Sequence, residues 1–113
     1  MVQVDWHQDP EGRIWRLRCQ GHAGFDGDLH LVCSPVCALS GALGIGFSKV
    51  LHLPCRLEAG DGRFLLQLSQ DTGAHPEFVS AQTLLKTTVL ALTEMIEHYP
   101  GFIGGGSEQE GSV

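Results

Sequence analysis

The chain has 113 residues, of which 42% are hydrophobic, and this is enough apolar material for the core of one compact domain. Thirteen acidic residues outnumber seven Lys and Arg residues, so the formal net charge is -6. Such a charge opposes direct binding to nucleic acid or to an anionic membrane surface, and we expect neither partner.

The opening decapeptide MVQVDWHQDP carries charge and proline where a signal peptide needs an apolar run, and no later stretch of eighteen residues is apolar throughout. We therefore expect a soluble, cytoplasmic protein. In a reducing cytoplasm the four cysteines, at positions 19, 33, 37 and 55, should be thiols. Packing, metal binding or reactivity must then account for each of them.

Alternation of apolar and polar residues predicts two β-hairpins. In the first, VQVDWH and RIWRLRC flank the turn QDPEG, and in the second, CRLEA and RFLLQLS flank the turn GDG. Four antiparallel strands follow from these patterns. The polar side of the sheet would present Arg16, Arg18, Arg56, Glu58 and Gln67 to solvent.

Two longer segments have the pattern of helices. The segment from about Ser34 to Leu53 is apolar and rich in small residues, which predicts a buried helix with Pro35 in its first turn. Its glycines indicate close packing against a neighbouring element. Apolar residues recur every three to four positions from His75 to Tyr99, which predicts an amphipathic helix.

The order of these elements predicts an α+β fold of the ββαββα type. It is a two-layer sandwich in which a four-stranded antiparallel sheet carries both helices on one face. We expect a single domain over residues 1–102. Residues 103–113 are rich in glycine and poor in apolar side chains, so we expect a disordered C-terminal tail there.

One histidine and one cysteine lie where the chain passes from the second strand to the buried helix. His22 follows the strand, and Cys33 lies at or just before the predicted first helical turn. Gly24 and Gly27 would let the intervening loop bring the two together. A helix N-terminus favours the thiolate, an imidazole supplies a general base, and the amides of Cys33 and Ser34 would be free to bind an oxyanion.

Two other interpretations of this segment remain open. Cysteine is among the most buried residue types, so Cys33 would also fit a core position without any chemistry. Alternatively, Cys33 and Cys37 lie four residues apart on one helical face, and His22 and His30 are near enough in sequence to complete a small metal site. The spacing is not that of a standard structural zinc site.

The runs GHA, at residues 21–23, and LVCSPVCALSGAL, at residues 31–43, resemble the ribosomal-processing cysteine protease family Prp, formerly a domain of unknown function. The resemblance covers nearly the whole chain. It implies a compact homodimer that removes an N-terminal extension from a large-subunit ribosomal protein. It also implies a largely apolar cleavage segment and no cofactor.

The same resemblance implies His22 as the base and Cys33 as the nucleophile. It further implies a mobile loop that admits the substrate and then orders over it, formed in part by Gly21, Ala23, Gly24 and Gly27.

The sequence departs from the family pattern at two positions. His30 stands where members typically carry an aspartate, and Cys37 stands where a small hydroxyl residue is usual. Asp26 and Asp28 are the other candidates for orienting His22 or closing the loop. Because of the change at His30, a non-catalytic homodimeric module that binds the ribosomal protein is the alternative function.

Overall fold

The computed structural model of the chain contains five strands and two long helices. It describes residues 1–21, 27–60 and 62–109, and at 27–34 and 108–109 it describes the backbone alone. The elements are β1 (Val2–Gln8), β2 (Ile14–Gln20), α1 (Gly27–Ile45), β3 (Arg56–Gly60), β4 (Arg63–Gln67), α2 (Phe78–His98) and β5 (Ile103–Gln109). A π-helical turn (Gly46–Val50) extends α1, and a 3-10 turn (Gln70–Ala74) precedes α2.

Both predicted hairpins are confirmed. Strands β1 and β2 pair antiparallel with Val4 opposite Cys19, and β3 and β4 pair antiparallel with Leu57 opposite Leu66. The hairpins join through β2 and β4, where Cys19 lies opposite Phe64. The apolar residues of these strands therefore share one face, as their alternation predicts.

The sheet has five strands rather than four, and it is mixed rather than antiparallel. Its order is β3-β4-β2-β1-β5, and β5 runs parallel to β1. The prediction of a disordered tail is wrong for Ile103–Gln109, which form this fifth strand. Residues 110–113 lie outside the part of the chain that the structure describes.

Two residues explain why a glycine-rich segment forms a strand. Ile103 lies opposite Val2, and its side chain is fully buried in the core. Gly105 lies opposite Val4 with a φ of 141°, and a Cβ at this position would collide with the Val4 carbonyl oxygen. The glycines that suggest disorder therefore permit β5 to lie against β1.

Helix α1 starts earlier than the sequence predicts. It begins at Gly27 instead of about Ser34, so that Pro35 lies inside the helix. The apolar run that precedes Pro35 continues the helical segment toward the N-terminus. A proline at such a position removes one backbone hydrogen bond, to the carbonyl of Leu31, without preventing helical backbone on either side.

Both helices pack on the apolar face of the sheet, as predicted. A Cβ on Gly44 of α1 would lie 3.4 Å from the Leu57 side chain, so α1 closely approaches β3 there. On α2, the Phe78 ring lies 5.4 Å from the ring of Trp15. Among the described residues, no helix is long and apolar enough to cross a membrane.

The opposite face of the sheet is polar. Arg18 on β2 donates from its Nε and Nη2 atoms to Asp5 on β1, at 3.1 and 3.0 Å. Arg56 and Glu58 form an ion pair of 2.8 Å on β3. This face therefore carries the charged residues that the alternation predicts.

Candidate active site

A groove with a volume of about 530 Å³ lies between α1 and the hairpin of β3 and β4. One wall is formed by small residues of α1, including Ser40, Gly41 and Gly44. The facing wall includes Leu57 and Phe64, so much of the surface is apolar. A groove of this size, lined by apolar side chains with a few polar groups, is typical of a ligand-binding site.

One end of the groove is closed by the turn that follows β2. Gly21 lines it, and its amide donates to the carbonyl of Gly62 in the β3–β4 turn at 3.0 Å. The φ of Gly21 is 112°, and a Cβ there would collide with the backbone carbonyl of Met1. Glycine at this position lets the chain turn at the rim of the groove immediately before His22.

The helical wall of the groove leads to the backbone of Cys33. Cys37 lines the groove on α1, and Cys33 lies one helical turn before it. Because α1 begins at Gly27, Cys33 lies in the second turn and not at the helix N-terminus. The predicted position of Cys33 at the start of the helix is therefore wrong, and its amide falls within the helical hydrogen-bonding pattern.

Two of the other cysteines are weak nucleophiles. Burial raises the pKa of Cys19 to about 11, although the hydroxyl of Ser40, 3.9 Å from the Cys19 sulfur, acts in the opposite direction. Burial also raises the pKa of Cys55. Since the thiolate is the reactive form, neither cysteine suits nucleophilic catalysis near neutral pH. Cys37 is exposed.

The predicted site residues fall into three groups. Gly21 is described, and it lines the groove. The residues His22, Ala23, Gly24 and Asp26 lie outside the described part of the chain. For Gly27, Asp28, His30, Cys33 and Ser34 the structure gives the backbone, which lies in the first two turns of α1.

The ten-residue loop predicted between His22 and Cys33 is shortened by the early start of α1. Gly27 begins the helix instead of belonging to the loop. No cluster of three or more metal-binding side chains occurs among the described residues. The side chains of the hypothetical metal site other than Cys37 lie outside that part, so the metal hypothesis stays untested.

The groove itself was not predicted from the sequence. The glycines of α1 were expected at sites of close packing, and this is correct for Gly44. A Cβ on Gly41, however, would have no neighbour within 4 Å, so this glycine faces open space in the groove. The spacing of Cys37, Gly41 and Gly44 on one helical face is the signal that would have identified this wall.

The chain was compared with protein families and with proteins of known structure. A family model described as cysteine protease Prp matches residues 1–104. No curated protein matches significantly.

Structural comparison gives the same fold. A ribosomal processing protease Prp from S. aureus, solved with a substrate peptide, is 22% identical with a TM-score of 0.78, covering 96% of this chain and 100% of that one. The same enzyme with a covalently linked product peptide is 23% identical with a TM-score of 0.76, at 96% and 100% coverage. SMU.848 from Streptococcus mutans is 20% identical with a TM-score of 0.77, at 96% and 98% coverage.

Proposed function

Because the chain belongs to the cysteine protease Prp family, we propose that it removes an N-terminal extension from a large-subunit ribosomal protein. In this proposal His22 is the general base and Cys33 is the nucleophile. The family membership covers nearly the whole chain and supports peptide-bond hydrolysis by a cysteine thiolate. The substrate and the two roles are our assignment.

The observation that supports the assignment is that a described residue close to each of the two along the chain lines the same groove. Gly21 closes one end, and the next residue along the chain is His22. Cys37 lines the same groove one helical turn after Cys33. A peptide lying in this groove would therefore reach the segment that contains both proposed catalytic residues.

The reaction proceeds in two steps. His22 accepts the proton of the Cys33 thiol, and the thiolate attacks the carbonyl carbon of the scissile peptide bond. The imidazolium returns that proton to the leaving amine, so the new N-terminus departs and an acyl-enzyme remains. His22 then takes a proton from water, the hydroxide attacks the thioester, and the carboxylate product leaves as the thiol is restored.

The oxyanion of each tetrahedral intermediate needs hydrogen-bond donors, for which we propose the amides of Cys33 and Ser34. In the structure these residues lie in α1, two residues and one residue before Pro35. Pro35 provides no amide hydrogen to the carbonyl of Leu31 and crowds it, so the helix is weakest there. We propose that the segment before Pro35 unwinds on substrate binding, which leaves Pro35 in a first-turn position and frees both amides.

The supporting residues of the site remain predictions. Asp26, Asp28 and His30 are the candidates for orienting His22, and His30 occupies the position where the family typically has aspartate. A cytoplasmic location is part of the proposal, because ribosomal proteins are processed where ribosomes are assembled. The homodimer that the family resemblance implies is also part of it.

The experiment is cleavage of a peptide that spans the junction between the N-terminal extension and the mature ribosomal protein. Mass spectrometry should identify two products with the unmodified chain and none with Cys33→Ala. Cys55→Ala is the matched control, since Cys55 does not line the groove, and it should cleave at the normal rate. Tight binding of the peptide without products from the unmodified chain would instead support the non-catalytic binding module.

A further inference from the structure

Strand β3 forms one edge of the five-stranded sheet. All five of its residues, Arg56–Gly60, are exposed. An edge strand presents backbone N–H and C=O groups that can pair with another extended chain. The strand is therefore suited to accept a further strand from a bound peptide.

The groove lies directly beside this edge. Leu57 and Ala59, the two residues of β3 that face α1, both line it. The opposite wall includes Gly41, where a Cβ would point into open space. A strand added to β3 would thus place the side chains on one of its faces between β3 and α1.

The two walls of the groove, β3 and the helical segment opposite it, have similar lengths. The five residues of β3 span about 16 Å at the rise of an extended chain. The helical residues lining the groove run from Val36 to Ser48, which is about 18 Å at the helical rise. About five extended residues fit along this length, and the alternation of a strand would direct two or three of their side chains into the groove.

One end of the groove lies at the residue that precedes His22 in the sequence. Strand β3 runs toward Gly60, which lines the groove together with Gly62 and Gly21. Gly21 immediately precedes His22. A peptide paired with β3 would therefore lead from the far end of the groove to the proposed catalytic centre.

We propose that the chain holds its substrate by β-strand addition, with the substrate paired to the outer edge of β3 and every second substrate side chain seated in the groove between β3 and α1. This inference rests on the proposed proteolytic function and specifies the class of substrate. The substrate segment is extended over about five residues, with apolar side chains at alternate positions.

The substrate side chains between those seated in the groove would point to the opposite, polar face of the sheet. On the polar face of the sheet, a hollow of about 440 Å³ lies beside β3, lined in part by Arg18, Arg56, Glu58 and Arg63. Arg18 is paired with Asp5 and Arg56 with Glu58, and Arg63 adds a further positive charge to the hollow. Polar or acidic substrate side chains therefore suit the intervening positions, and lysine or arginine does not.

The first test measures binding of a fluorescein-labelled peptide that spans the junction between extension and mature ribosomal protein. The protein is the full-length Cys33→Ala variant, so the peptide stays intact. A series of peptides carries one N-methylated amide each. Because only every second amide of an added strand faces β3, N-methylation should weaken binding about tenfold or more at alternate positions of the paired segment and little between them.

The second test fills the groove from the helix side. Gly41→Leu should weaken binding of the same peptide at least about tenfold, because the new side chain occupies the space of a substrate side chain without displacing a neighbour. Ala38→Leu is the matched control, since Ala38 is exposed on α1 and does not line the groove. Thermal unfolding of both variants verifies that they fold.

The two experiments separate this inference from the proposed function. Cleavage by the unmodified chain together with a uniform or absent response to N-methylation would overturn strand addition and leave the protease function intact. Equal peptide binding by the Gly41 and Ala38 variants would likewise overturn the placement in the groove. If the unmodified peptide is neither bound nor cleaved, both proposals are overturned.

Discussion

The side-chain amide of Gln82 pairs with both backbone polar groups of Ile14. Its Oε1 accepts from the Ile14 amide at 2.7 Å, and its Nε2 donates to the Ile14 carbonyl at 2.8 Å. Gln82 thus makes the two hydrogen bonds that a neighbouring strand would make, at the point where the β1–β2 pairing is irregular. The contact fixes α2 to the start of β2 within the core.

Replacing Gln82 by leucine should destabilise the protein. The change leaves a buried N–H and a buried C=O unpaired, so we expect the free energy of unfolding to fall by about 3 kcal/mol. Gln82→Glu keeps the acceptor, but it buries a charge and places a carboxylate oxygen against the Ile14 carbonyl, so at pH 7 it should be the least stable of the three. Urea unfolding of the three proteins measures this order, and equal midpoints would contradict it.

A methyl group on Gly105 should disrupt the fifth strand. Gly105→Ala would force Cβ against the carbonyl oxygen of Val4 at a φ that alanine rarely adopts, and we expect a loss of about 3 kcal/mol or more. Gly106→Ala is the matched control, because a Cβ there has no neighbour within 4 Å. Thermal unfolding should separate the two variants, and similar melting temperatures would show that β5 does not need glycine at position 105.

Acid should weaken the first hairpin through Asp9. Burial raises the pKa of this carboxyl group, but hydrogen bonds from Trp15 and Arg13 outweigh it and hold the pKa at about 2. Since the folded pKa lies below the ordinary value of 3.8, the stabilisation is complete above about pH 4 and is lost as the pH falls toward 2.

Asp9→Asn tests this contribution. It should lower the free energy of unfolding at pH 7 by about 2 kcal/mol, because it removes charge-assisted hydrogen bonds. It should also flatten the dependence of stability on pH between 4 and 2. Urea unfolding across this range measures both effects, and an unchanged pH dependence would exclude Asp9 as its source.

Iodoacetamide should distinguish the proposed nucleophile from Cys19 and Cys55, whose pKa values are raised. At pH 7.5 only about a thousandth or less of Cys19 is thiolate, given a pKa of about 11. Cys33 should therefore be alkylated much faster than Cys19 or Cys55, and mass spectrometry of the digested protein measures each rate. Cys33→Ser should remove the fast phase, whereas equal and slow labelling of all the thiols would refute the assignment.

Pro35→Ala tests the unwinding that the oxyanion site requires. Where Pro35 lies inside a helix, alanine restores an amide hydrogen bond to Leu31 and should raise the free energy of unfolding by about 2 kcal/mol. Unwinding then becomes harder, so the rate of peptide cleavage should fall. Pro54→Ala, beyond the helix, is the control. If Pro35→Ala leaves the free energy of unfolding unchanged, Pro35 lies in the first turn of the helix and not inside it.

The hairpins and the long helix were predicted well from the sequence, because their apolar residues recur with the period of a strand or helix that has one buried face. The alternation ending at Cys19 and the helical spacing from Phe78 onward both reflect one buried face. The fifth strand was missed because Gly105 is required by its neighbour Val4, and no local pattern contains that contact. The early start of α1 was missed because Pro35 has a strong local preference for a first turn.

For the candidate site, the sequence predicted a histidine and a cysteine but not the groove. Cys33 and His22 stand out by their local chemistry, but the groove depends on which residues β3 places opposite α1. Gly41 and Leu57 are far apart in sequence, and neither has a distinctive pattern alone. Their relationship follows from the order of strands in the sheet.

The parallel pairing of β1 with β5 joins two segments that lie far apart in the sequence. The partner of Val2 is Ile103, so the outer side of β1 stays uncovered until residues 103–109 have been synthesised. Such long-range closure is slow and comes late in folding. A nascent chain therefore lacks a finished sheet until Ile103–Gln109 have been synthesised and have left the ribosome.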